Sequence, residues 1–304
     1  MRFSYSLERA LRIIIIGSAL LSQWGCSSAS SPRPSPAPPP SNVVPQFGHI
    51  ILLVEENHSY SEVIGNTSMP YLNSLAAQYG LATQYFANAH PSIGDYFMLT
   101  TGQLVTNDDA FAGTVDVDNI VRELISVGKT WKSYAESIPS TGYTGGDVYP
   151  YARRHNPFSY FSDVVNDSSQ AGNLVSMTQF QADLANDQLP DFSFIVPNLL
   201  DDAHDGSLQV ADAWLQQNIG PLISSPIFQK DDLLVIVFDE ANTSDSTDGG
   251  GRVAALILSP KARQGYRSTT FYQHQSTLHL ILQGLGITAY PDAASSAPAM
   301  GEFF

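Results

Sequence analysis

Four short, continuous apolar runs, rich in Val, Ile and Leu, punctuate the chain at residues 49–54 (HIILLV), 191–196 (DFSFIV), 232–238 (DLLVIVF) and 253–258 (VAALIL). They lack the in-out alternation of a half-exposed strand, so they predict strands buried on both faces, as in a parallel sheet. The segments between them have helical period instead. Residues 69–80 place Leu72, Leu75, Ala76 and Tyr79 on one face and stop at Gly80. Residues 118–128 start at Asp118 as a cap and end at Gly128, and residues 207–219 and 274–286 repeat the pattern. Alternating strands and helices predict an α/β fold, a three-layer α/β/α sandwich with a mostly parallel central sheet. Its ligands should gather outside the carboxyl ends of the strands.

The beginning of the chain follows a different logic. Arg2, Arg9 and Arg12 precede the apolar stretch Ile13–Leu21, which is short for a membrane span and suits the core of a secretory leader over residues 1–26. Cys26, the single cysteine of the 304 residues, stands among small residues as in a bacterial lipoprotein signal. Gln23 occupies a position that is usually aliphatic there, so lipidation at Cys26 and ordinary cleavage nearby both stay open. Residues 27–46 form a Pro/Ser-rich linker, and residues 47–304 are the expected catalytic domain.

Composition narrows the functions. The net charge is −15, and the first 42 residues carry four arginines against Glu8 alone, so the remainder is more acidic still. Such a chain makes no nucleic-acid partner. Beyond Cys26 there is no thiol, which excludes disulfides, thiolate catalysis and thiolate zinc sites from the domain. The expected membrane contact is a lipid on Cys26; oligomeric state is not readable.

Chemistry-bearing residues follow the predicted strands. Glu55, Glu56, Asn57 and His58 follow the first; Asp201, Asp202, His204 and Asp205 follow the second; Asp239 and Glu240 end the third. Acids converging on one sheet edge repel unless a cation sits among them. Carboxylate and amide oxygens suit Ca, Mg or Mn, and Asp with His also admits Zn or Fe. Ser92 precedes a predicted helix from Ile93, where it is either an anion-binding hydroxyl or simply an N-cap. His155 lies beside Arg153 and Arg154, an arrangement fit for an oxyanion or for an ordinary ion-paired loop. His274 heads the last long helix, whereas His279 and His49 read as structural.

The segments LLVEENHSYSEVIG, HPSIGDYFMLTTG, YARRHNPFSYF, PNLLDDAHDGSLQVADAWL, LLVIVFDEA and GGGRVAALILSPKARQGYRSTTFYQHQSTLHLILQGLGI occur in the order seen in the bacterial and fungal phosphoesterase family, which unites acid phosphatases with phospholipases C. The chain resembles that family over residues 47–290. The resemblance implies an alkaline-phosphatase-like fold and one divalent metal ion held by Glu56, Asn57, Ser92, Asp239 and Glu240. It implies Ser92 as nucleophile, with His204, Asp205, His155 and His274 around the phosphate. The expected activity is that of an exported, metal-dependent phosphomonoesterase working through a phosphoserine. A phospholipase C is the alternative within the same chemistry. Many relatives carry Pro-Asn where this chain has Gly94-Asp95, and a carboxylate facing phosphate would repel it unless protonated or turned away. Asp95 therefore also favours a third expectation, an envelope protein that binds phosphate or metal without turnover.

Overall fold

A computed structural model describes residues 43–304. The expected leader over residues 1–26, with Cys26, and most of the expected linker over residues 27–46 lie outside the described residues. Ten strands form there: β1 (Ile50–Glu55), β2 (Gly80–Ala82), β3 (Tyr85–Phe86), β4 (Trp131–Ala135), β5 (Leu174–Val175), β6 (Phe192–Val196), β7 (Leu233–Phe238), β8 (Ala255–Leu258), β9 (Arg267–Ser268) and β10 (Tyr272–Gln273). Eight make one sheet in the order β5-β4-β6-β1-β7-β8-β2-β9, and β3 pairs with β10 separately. β1 sits in the middle, parallel to β6 and to β7, with Glu55 opposite Phe238 at its last rung. Its residues are all buried, as are those of β6, β7 and β8.

The sheet is mostly parallel, with a correction at residues 253–258. That run, read as a parallel strand, is β8, antiparallel to both β7 and β2. A parallel neighbour needs a crossover, usually helical, whereas a chain that turns back on itself gives an antiparallel one. The connection from Asp239 to Ala254 contains no helix, so it turns back at the carboxyl edge of the sheet and stays beside the acids there.

The four predicted helices are present at Pro70–Gln78, Ile120–Ser126, Leu208–Asn218 and His274–Gly284. The cap of the second is Asn119 and not Asp118: Asn119 Oδ1 accepts from the amides of Val121 and Arg122, which satisfies two donors of the first turn. The helix Ile93–Thr101 packs against His274–Gly284, and Pro70–Gln78 against Leu208–Asn218. Ile50 packs against Gly284; strand alternation then turns Glu55 toward the opposite layer and Glu56 toward that of the helix at Ile93. The minor histidines are structural: His49 meets Asp232 at 3.1 Å, and His279 stacks on Tyr290 while donating to the Ala294 carbonyl. Among the described residues no helix is long and apolar enough to cross a membrane.

Candidate active site

The apolar run of β1 ends in two fully buried carboxylic acids that meet different surroundings. Glu55 has no partner for either oxygen, and burial, then the nearby Asp202, push its pKa well up, so it is a neutral acid. Glu56 instead accepts from the Tyr96 hydroxyl at Oε1 (2.5 Å) and from the Asn57 amide at Oε2 (2.8 Å). Asn57 adopts the left-handed region (φ 56°), a conformation asparagine tolerates better than most residues. Its backbone N–H donates to Asp239 Oδ1 at 3.0 Å, fastening the end of β1 to the end of β7.

Ser92 occupies the N-cap position of the helix Ile93–Thr101 but does not act as a cap. Its backbone is helical (φ −42°, ψ −43°) and its side chain accepts no helix amide. The hydroxyl points at the strand-end acids, 3.2 Å from Glu56 Oε2 and 3.1 Å from Glu240 Oε1. A cap in the wrong conformation for capping leaves that oxygen free for other work.

The histidines divide by exposure. His204 lies in the cleft, where Asp205 Oδ1, 2.8 Å from its Nδ1, fixes the ring. With Nδ1 engaged, Nε2 is the nitrogen left for exchange with a ligand. The backbone N–H of His204 donates to Asp202 Oδ1. His155 is fully buried, stacked on Tyr96 with ring centroids 5.0 Å apart. Its Nδ1 lies 3.3 Å from Glu56 and 3.4 Å from Asp202, yet neither ring nitrogen makes a hydrogen bond. Burial drives its pKa well down, so it is neutral. His274 is not brought to the cleft. It is fully buried behind Asp239, with Nε2 donating to the Asp239 carbonyl (2.5 Å) and Nδ1 accepting from the Tyr85 hydroxyl (3.1 Å). Burial holds its pKa at about 4, and its placement beside the phosphate is corrected accordingly: both ring nitrogens are already committed.

Glu56, Asp202, Asp239 and Glu240 are all buried here. Burial, then Glu240, raises Asp239 to about 7; burial is likewise the first cause that raises Glu240 to about 7. Glu56 and Asp202 also lie well above the usual range, again through burial first. Such crowding is costly without a counter-charge. Several buried polar atoms of these residues lack a hydrogen-bond partner, namely Asp239 Oδ2, Asp202 Oδ2 and both nitrogens of His155. The ligating atoms of Glu56, His155 and His204 come within 4.8 Å of one another. Orphaned buried acceptors and mutually close carboxylate and imidazole groups fit a divalent cation.

Asp95 is turned away from this group. Its Oδ1 accepts the Asn88 amide at 2.7 Å and lies 3.4 Å from His274 Nε2. Burial, then the nearby Asp239, raises its pKa well up, which favours the neutral form and so weakens any repulsion of a bound phosphate.

A cleft of about 350 Å³ opens over Ser92, lined by Asn57, Ser92, Asp109, His204, Glu240, Asn242 and Thr243. Its walls are polar. A larger groove beside Trp131 and Lys132 lies at the amino edge of the sheet, away from these groups.

The fold is that of a three-layer α/β protein with an alkaline-phosphatase-like sheet, and the family to which the chain belongs makes it a hydrolase of phosphoric esters. The chain belongs to the phosphoesterase family, whose model matches residues 66–288. It is 32% identical to a phosphatidylinositol-3-phosphatase of Mycobacterium tuberculosis over 97% of this chain and 94% of that one. It is 31% identical to a probable acid phosphatase of Kluyveromyces lactis, over 76% of this chain and 56% of that one. The chain thus spans only about half of that yeast relative. Among solved structures, an alkaline phosphatase superfamily protein from Vibrio parahaemolyticus matches with a TM-score of 0.58 at 12% identity, covering 83% of this chain and 69% of that one; this is a likeness of fold.

Of the residues singled out in the sequence, Glu56, Asn57, Ser92, Asp239, Glu240, His155, His204 and Asp205 assemble around one place. Three neighbours carried no assignment: Tyr96, Asp109 and His90. Tyr96 follows Ser92 by four residues, one helical turn, which places both on one helix face. His90 stands two residues before Ser92. Asp109 lies in a loop with no pattern to mark it.

Proposed function

We propose that the chain is a metal-dependent phosphomonoesterase of the acid phosphatase kind, acting through a phosphoserine on Ser92. The observation that carries this is the Ser92 hydroxyl, released from capping and set between Glu56 and Glu240. Glu56, Asn57, Asp239 and Glu240 would hold the ion beside Ser92. His155, close to Glu56, extends the donor set to nitrogen, so Mn, Zn or Fe suit it as well as Ca or Mg. A bound dication lowers the pKa of a neighbouring hydroxyl and offsets charge on phosphoryl oxygens.

The chain's own groups then divide the work. Ser92 Oγ attacks phosphorus and passes its proton to the carboxylate it faces, forming the Oγ–P bond while the ester P–O bond breaks. His204, oriented by Asp205, delivers a proton from Nε2 to the departing alkoxide. The same nitrogen, now neutral, takes a proton from water as the water oxygen attacks phosphorus. The Oγ–P bond breaks, and Ser92 recovers its proton. Glu55 and His274, neutral and buried, add no charge to the cleft.

The polar lining of the cleft favours a small polar phosphate monoester over a phospholipid. The same reading takes residues 47–304 as the catalytic domain of an exported protein, released or anchored at Cys26. Hydrolysis of p-nitrophenyl phosphate with and without a chelator tests the activity. Turnover that survives complete metal removal, or that persists in Ser92→Ala, overturns the reading. Trapping of a ³²P-labelled seryl enzyme at low pH tests the intermediate.

A further inference from the structure

We infer that His90 is a positioning residue that fixes the orientation of Glu240, and that through Glu240 it sets the affinity of the site for its divalent ion. This inference rests on the reading of Glu240 as a residue that holds the ion.

The imidazole spans two fixed points. Its Nε2 lies 3.0 Å from the main-chain carbonyl of Asp245, and its Nδ1 lies 2.5 Å from Glu240 Oε2. A carbonyl only accepts, so Nε2 carries a proton. The contact at Nδ1 then needs one further proton between ring and carboxyl, and whichever atom holds it the Glu240 Oε2 is tied to the ring. Glu240 is thus gripped from one short segment, with Oε2 on His90 and Oε1 facing the hydroxyl of Ser92. With Oε2 committed, Oε1 is the oxygen presented to Ser92 and the ion.

The far end of the grip is equally defined. The 87–90 segment and the turn after β7 are joined by two backbone bonds, Ala87 N to Gly251 O at 2.9 Å and Gly250 N to Ala87 O at 3.1 Å. Asp245 holds that turn together, its carboxylate accepting from the amides of Thr247 and Arg252. Gly251 has φ of +81°, and a Cβ there would come within 2.3 Å of the Asp245 carbonyl, the same oxygen that receives His90. The glycine keeps that acceptor in place. Carboxylate ligands are commonly oriented by a hydrogen-bond partner outside the metal's own shell, and losing such a partner typically costs about 10- to 100-fold in metal affinity or activity. His90 is placed for that task, being attached to the Glu240 oxygen that faces away from Ser92.

The test is calorimetric titration of the chelator-stripped full chain with Mn²⁺, repeated with Ca²⁺ and Zn²⁺, for the wild type, His90→Ala and His90→Asn, alongside thermal melting of the metal-free proteins. The expected result is a Kd raised about 10- to 100-fold in His90→Ala. In His90→Asn, whose amide can still donate to Oε2, the loss should be smaller. Excess Mn²⁺ should recover most of the His90→Ala activity, with KM for the phosphate ester little changed. Equal Mn²⁺ affinity in the wild type and His90→Ala overturns the role of His90 while leaving the metal reading intact. A wild type that binds none of the three ions overturns the metal reading and this role with it. Should His90→Ala not fold, His90→Phe, which keeps a ring but cannot hydrogen-bond Oε2, takes its place: Mn²⁺ affinity equal to that of the wild type overturns the inference.

Discussion

Ser92 and Glu240, separated by 148 positions in the chain, face each other at 3.1 Å, and the serine reaches that distance only because its backbone has given up the capping geometry. Its hydroxyl therefore contributes to the site and not to the helix. Ser92→Ala should reduce kcat by at least about 10³-fold, the order seen when a nucleophile is removed. Stability should fall by no more than about 1–3 kcal/mol, the cost of leaving buried acceptors without their donor, since there is no cap bond to lose. Parallel assays of turnover and thermal melting check both halves. A loss of stability beyond that range would show that the hydroxyl does support the fold.

The pH dependence of stability follows from opposing shifts. Asp239 and Glu240 are raised to about 7 from 3.8 and 4.5, so their contribution to stability is complete below about pH 4 and is lost as pH rises through 7. His274, lowered to about 4 from 6.5, contributes in the other direction. Its share is complete above pH 6.5 and is lost as pH falls through 4. Metal-stripped protein should therefore melt highest in acidic buffer and lose stability as pH rises from about 4.5 to about 7. Since a dication replaces the protons on the acids, added Mn²⁺ should raise the melting temperature more at pH 8 than at pH 5. Calorimetric melts across that range, with and without Mn²⁺, check the sign.

Asp95→Asn preserves shape and the acceptor for the Asn88 amide while removing a buried ionisable group whose pKa burial has raised. Its stability relative to the wild type should rise as pH climbs above the ordinary aspartate range, where keeping the buried acid protonated becomes costly. Its kcat should change by no more than a few-fold, because the side chain does not face the cleft. A large fall in kcat with unchanged stability would contradict that placement.

Gly206→Ala probes the segment that presents Asp202, His204 and Asp205. A Cβ at residue 206 would stand 1.9 Å from the Leu200 carbonyl, and the Asp205 amide donates to the Leu199 carbonyl in the same turn. The loop has to move. Overpacking of this kind costs about 1–3 kcal/mol, and the moving part carries His204, so kcat should fall further than stability alone explains. Kinetics at a temperature well below the melting transition separate the two effects.

The parts of this molecule legible in the sequence are those where one physical requirement dominates. β1, β6 and β7 are buried on both faces, and their aliphatic runs read directly as parallel strands. The direction of β8 was not legible, because VAALIL is equally apolar whichever way it runs; the turn after Asp239 decides it. The short strands β2, β3, β5, β9 and β10 contain two or three residues each, too few for a period to register. Acids at the strand ends announced the site, since so many carboxylates on one edge demand an explanation. His274 was misplaced because a buried histidine serving a backbone carbonyl and a histidine serving a ligand look alike until their neighbours are known. His90 stood in plain view, but its task depends on Asp245 and Glu240, some 150 residues away.

The central position of β1 carries a cost in time. It is the first strand among the described residues, yet both of its neighbours, β6 and β7, begin only at residues 192 and 233. During synthesis this largely aliphatic strand therefore waits with both hydrogen-bonding edges bare until β6 has been made, and with one edge bare until β7 follows. Long-range pairing of this kind is slow and leaves the incomplete chain prone to association. Fragments ending before β7 should therefore aggregate, and a holding chaperone that covers residues 50–55 should raise the yield of native protein more than one that acts on the finished chain.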